Sequence, residues 1–161
     1  MNTDMLYRIL KKISTRKEIF DVAYERGLGS GMQIEKWLLI EMAALLKNYN
    51  IVSEAEHKYD RPYSRRYEHC DLWWQDDEEV WMEVKTIVLS KDLQRGNLHN
   101  IKKDIEKKKR IKQGKFYHLT AVFPVEDVKS WKSYLEEINL KILKSWEFNI
   151  NKGKILWCLF S

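Results

Sequence analysis

The chain has 161 residues, of which 44% are hydrophobic and 33% charged, with a net charge of +5. That length suits one domain with a true core, while the lack of any apolar run near about 18 residues excludes a helical membrane span, and two cysteines are too few for a disulfide framework. The basic balance, with a pI of about 9.1, favours a polyanionic partner.

In chain order, residues 4–12 carry Met5, Ile9 and Leu10 at helical spacing. Thr15 and Glu18 match a capping box, Ser/Thr followed three residues later by Glu. They predict a second helix running to about residue 26, with Ile19, Phe20 and Val22 on its buried side. Gly27, Gly29 and Gly31 break it. A third helix is predicted over 32–48, where Ile34, Trp37, Leu38, Leu45 and Leu46 recur at three and four. Residues 51–59 read as a strand, and Asp60, Arg61 and Pro62 as a turn. Two apolar-rich strands follow over 67–89, joined by the acidic turn 75–79. A polar loop over 90–98 leads to a basic helix over 100–112, stopped by Gly114. Residues 116–125 predict a buried strand ended by Pro124, and 128–138 a helix. The tail reads as a hairpin with Asn151, Lys152 and Gly153 at its tip. The expectation is an α/β (α+β) domain with a central mixed β-sheet flanked by helices. It is one unit over 1–161: a helical extension (1–28), a core (30–125), and a C-terminal helix and hairpin (126–161).

The chemistry concentrates in the acidic hairpin. On its second strand Glu83 and Lys85 are two apart, so both leave the same face, with Trp81. If the hairpin folds about Asp77, Asp71 falls opposite Glu83, with Cβ atoms roughly 4.5–5.5 Å apart. One divalent ion then reaches both carboxylates beside an ammonium, which outlines a phosphodiester-cleaving centre. An acid two residues before a lysine occurs four times in the chain, starting at Glu56, Glu83, Asp127 and Glu106. Only the Glu83 copy has an apolar strand around it and an aspartate on the strand before. The competing reading is a solvated charged hairpin face.

With these residues in this order, the chain resembles the PD-(D/E)XK nuclease superfamily, the restriction-endonuclease-like fold. That core is a helix, three strands, a helix and a strand (αβββαβ). Asp71 matches the family's first acid, Glu83 the second and Lys85 the lysine; Cys70 stands where proline often precedes the first acid. Gly31 followed by Glu35 matches the acid that many members carry on the first core helix, with Glu41 as the alternative. The match covers roughly residues 30–125. The resemblance implies a DNA endonuclease dependent on Mg²⁺, with Mn²⁺ able to substitute. Asp71, Glu83 and the Val84 carbonyl would hold the metal, Lys85 would orient water or neutralise phosphate, and Glu35 would support them.

The run 101–112 is the second candidate. Eight basic residues lie between Lys102 and Lys115 against two acids. Leu98, Ile101, Ile105 and Ile111 are spaced to pack on a sheet, which turns Lys103, Lys107, Lys108 and Arg110 outward. Such a face suits DNA phosphates, and Arg61, Arg65 and Arg66 would join it. A homodimer would bring two centres to two strands. Without a signal-peptide core at the N-terminus, the expected location is cytoplasmic and off the membrane. The alternative function is a nucleic-acid-binding module of the same fold without catalysis.

Overall fold

The computed structural model describes residues 2–25, 32–59, 69–89, 96–137 and 140–161. Helix α1 (Thr3–Ser14) starts where the Asn2 side chain accepts from the backbone N–H groups of Asp4 and Met5 at 3.0 and 3.2 Å, satisfying two donors that the first turn leaves open. Helix α2 (Lys17–Glu25) follows at once. Thr15 does not cap it: the hydroxyl turns back and donates to the Lys12 carbonyl at 2.7 Å, closing α1 instead. Phe20 and Ala23 are the buried side of α2, while Val22 is 45% exposed. Helix α3 (Met32–Asn48) buries Ile34, Leu38, Leu39, Met42, Leu45 and Leu46; of the expected stripe Trp37 is only partly buried, and Leu39 and Met42 are added.

Among the described residues six strands form one sheet in the order β1-β2-β3-β4-β6-β5: β1 (Val52–Lys58), β2 (His69–Gln75), β3 (Glu79–Val88), β4 (Lys115–Val125), β5 (Lys144–Ile150) and β6 (Gly153–Phe160). The β3–β4 pair is parallel and all other pairs are antiparallel. The parallel pair follows from the crossover through α4 (Gly96–Glu106), since parallel neighbours need a long connection. The class is therefore α+β with a mixed sheet, as expected.

Helices α1, α2 and α3 cover one face of the sheet, meeting Leu72, Trp74, Val80, Met82, Val84 and Trp157. Helices α4 and α5 (Val128–Glu137) cover the other, where Ile101, Trp131 and Leu135 meet Val122, Leu156 and Phe160. A smaller cluster of Tyr59, Cys70, Trp81 and Phe116 lies at one end, with Trp73 and Ile111 against it.

Several boundaries differ from the sequence reading. Helix α4 begins at Gly96 rather than Asn100, and it ends at Glu106 rather than 112; a 3₁₀ turn (Lys107–Arg110) replaces its last turns before Ile111 becomes extended. That early end lets Ile111 reach the Trp81 cluster. Strand β4 runs through Pro124, with its pairing to β6 shifted between Val122 and Val125. The terminal hairpin turns at Asn151 and Lys152, with Gly153 at φ 124° opening the return strand.

Candidate active site

The hairpin turns where the sequence places it. Leu72 pairs with Met82, Trp73 with Trp81, Trp74 with Val80 and Gln75 with Glu79, a register centred on Asp77. The ladder ends at Leu72–Met82, one step short of Asp71 and Glu83, whose carboxyl groups lie close enough for the Asp71 charge to act on Glu83. The Asp71 side chain rather than the β2 backbone takes up β3: the Val84 N–H donates to Oδ2 at 2.7 Å. Two residues on, the Thr86 N–H and hydroxyl donate to Glu35 Oε1 at 2.9 and 3.2 Å. The edge of β3 that β2 leaves is thus satisfied by carboxylates from β2 and α3, because buried backbone donors must find partners. A strand residue sends its N–H and C=O toward the same neighbour, so the Val84 carbonyl opens onto this fork.

Glu35 also fixes Lys85, whose Nζ lies 3.2 Å from Oε1 and 3.3 Å from Oε2. Glu83 is 2% exposed. The Tyr59 hydroxyl donates to its Oε1, and Lys107 Nζ donates to its Oε2 at 2.7 Å. Tyr59 is itself oriented by stacking on Trp81, with centroids 5.6 Å apart and ring planes 12° apart. Lys107 also pairs with Asp104 of α4 at 2.7 Å. Parallel pairing sets His118 of β4 beside Glu83. Wholly buried, His118 directs Nε2 at Asp104 Oδ2 across 3.6 Å.

The electrostatics follow from burial. Burial pushes the Glu83 carboxyl up to about 8, reinforced by the Asp71 charge and opposed by Lys107 and Tyr59. Burial likewise raises Asp71, against the Val84 N–H and Lys107. Burial works against the Lys107 charge, yet Glu83 and Asp104 hold its pKa above the usual lysine range. Burial would raise Asp104 too, but His118 and Lys107 hold it below the carboxylate norm. Tyr59 is raised by burial and then by Glu83, so it remains an O–H donor.

Asp71, Glu83, Val84, Lys85 and Glu35 therefore meet at one fork. Tyr59, Asp104 and His118 belong to the same network and were not singled out from the sequence; Tyr59 follows β1, Asp104 lies on α4 and His118 on β4, and no local pattern links them. Lys107 departs from the outward position expected of it: it starts the 3₁₀ turn, and its side chain enters the site. Lys103 and Lys108 are exposed. Arg110 is half-buried, 6.0 Å from the Tyr59 ring centroid. Arg61, Arg65 and Arg66 lie outside the described residues.

Among the described residues no group of three or more His, Cys, Asp or Glu side chains is placed to hold a metal ion. Mg²⁺ does not require such a group: it takes one or two carboxylates and keeps several waters. The donors at the fork, from Asp71, Glu83 and the Val84 carbonyl, are hard oxygens of the kind that Mg²⁺ takes. No protein-family model, curated protein or solved structure matches this chain.

Proposed function

We propose that this chain is a Mg²⁺-dependent DNA endonuclease of the PD-(D/E)XK type, hydrolysing phosphodiester bonds. The observation that carries the reading is the β2–β3 fork, where the Asp71 charge acts on Glu83, Asp71 accepts from the Val84 N–H at 2.7 Å, and Glu35 holds Lys85 at 3.2 Å. The order α3, β1, β2, β3, α4, β4 supports it as the helix, three strands, helix and strand of that core.

A bound Mg²⁺ supplies charge neutralisation and a more acidic water; Asp71, Glu83 and the Val84 carbonyl would hold it. Lys85 keeps its ammonium at the mouth of the fork and donates to a phosphate oxygen or to the attacking water's oxygen. Glu35 fixes where that ammonium stands, which limits the geometries it samples. Tyr59 keeps its proton and orients Glu83. Exposed Lys103 and Lys108 of the neighbouring segment would take DNA phosphates. Two copies of the chain would bring two such sites to the two strands.

A second reading is a nucleic-acid-binding module without catalysis. It is favoured by the fact that both Glu83 oxygens already have protein partners, Tyr59 and Lys107. Supercoiled plasmid and pooled random-sequence duplexes incubated with Mg²⁺ separate the two. Under the nuclease reading the native chain cuts, and Lys85→Ala cuts about 10²–10⁴-fold more slowly. Retention of DNA on a gel without cutting would select the second reading, and neither cutting nor retention would end both.

A further inference from the structure

We propose that Lys107 is a displaceable counter-ion: its ammonium ties Glu83 to Asp104 while no divalent cation is bound, yields Glu83 when one enters, and then meets the substrate phosphate. This rests on the nuclease reading and assigns to that site a residue outside the acid–lysine motif.

The contact pattern carries the inference. Lys107 Nζ lies 2.7 Å from Glu83 Oε2 and 2.7 Å from Asp104 Oδ1, so one ammonium bridges two buried or half-buried acids. The same Glu83 is a donor the metal needs, and two cations cannot share it closely at low local dielectric. Departure of Lys107 leaves no orphan. Asp104 remains its partner three residues away, and Tyr59 keeps hold of the other Glu83 oxygen. The means of departure are also present. Lys107 opens a four-residue 3₁₀ turn at the end of α4, whose hydrogen bonding is poorer than that of an α-helix. Its side chain is 23% exposed, and its four-carbon stem is flexible. Lys108 beside it is exposed, so an ammonium released from Glu83 moves toward a surface already basic.

The test is Mn²⁺ binding by calorimetry, without DNA, for the native chain, Lys107→Met and Lys107→Arg. Lys107→Met removes the cation that competes for Glu83 Oε2 at 2.7 Å, so Mn²⁺ should bind roughly tenfold more tightly. Lys107→Arg, which keeps the charge, should stay near native affinity. At saturating Mn²⁺, Lys107→Met should nonetheless cleave more slowly, because the phosphate loses a donor. Unchanged or weaker Mn²⁺ binding by folded Lys107→Met overturns the proposal while leaving the nuclease reading intact. A native chain that binds no Mn²⁺ overturns both. If circular dichroism shows Lys107→Met unfolded, Lys107→Gln, which keeps a hydrogen-bond donor, is judged by the same criterion.

Discussion

Glu83 holds its proton up to about pH 8 because burial and the Asp71 charge disfavour the anion. Its unfolded value is near 4.5, so between these values the folded chain keeps a proton that the unfolded chain has lost. Stability then falls as pH rises through that window, by up to about 1.4 kcal/mol per unit. Glu83→Gln removes that penalty. Thermal melts in chelator should show the variant more stable than the native chain at pH 8, by on the order of 1–2 kcal/mol. The gain should shrink toward pH 5. A gain that is constant with pH, or a loss at pH 8, would contradict the assignment of the buried proton to Glu83. At this scale the motif was legible from the sequence: alternation on a strand sets Glu83 and Lys85 on one face whatever the rest of the fold does. The partners were not, because Tyr59, Asp104 and His118 reach Glu83 only through packing.

The hairpin and the α4 segment contrast as elements. The hairpin was readable to its register, because five polar residues between two apolar runs leave one place to turn, and a one-residue slip would expose Trp74, Val80 and Met82. The α4 segment differs from its sequence reading at both ends. Lys107 to Arg110 are good helix formers, so local propensity continues the helix, whereas the tertiary demands of Ile111 and Lys107 end it. Gly114 then fixes how β4 starts against β3. It has φ +89°, and a Cβ there would lie 2.5 Å from the Glu79 carbonyl oxygen and 2.7 Å from the Glu79 Cβ. Gly114→Ala should therefore destabilise by at least about 2 kcal/mol in chemical denaturation. Because the Val80–Lys115 pairing begins here and leads to Glu83 beside His118, the substitution should disturb the site as well. A loss below about 0.5 kcal/mol, the range of an ordinary surface change, would show that the turn is not pinned.

Over the whole molecule, the net charge of +5 and the exposed Lys103 and Lys108 bear on the proposed DNA contact rather than on the fold. Lys103→Glu combined with Lys108→Glu should weaken duplex binding across sequences. It should also lower the slope of log affinity against log salt by about one for each phosphate that is no longer neutralised, leaving the melting temperature unmoved. Salt titrations by fluorescence anisotropy measure both, and an unchanged slope would remove these lysines from the interface. The chain ends contribute at this scale too. The terminal hairpin docks β6 on β4, and Trp157 donates its Nε1–H to Ser14 Oγ at 3.1 Å, joining the last strand to the first helix.

By itself, the amino-acid order determined which segments are helix and strand, the mixed α+β class, and the face on which Asp71, Glu83 and Lys85 lie. These depend on periodicity and turn chemistry, which act within a few residues. The tertiary structure alone decided the strand order, the early end of α4 and the capture of Glu83 by Tyr59 and Lys107. Those contacts span 24 residues each way along the chain, and they exist only once helices have crossed the sheet and burial has made an unpaired charge too costly to leave.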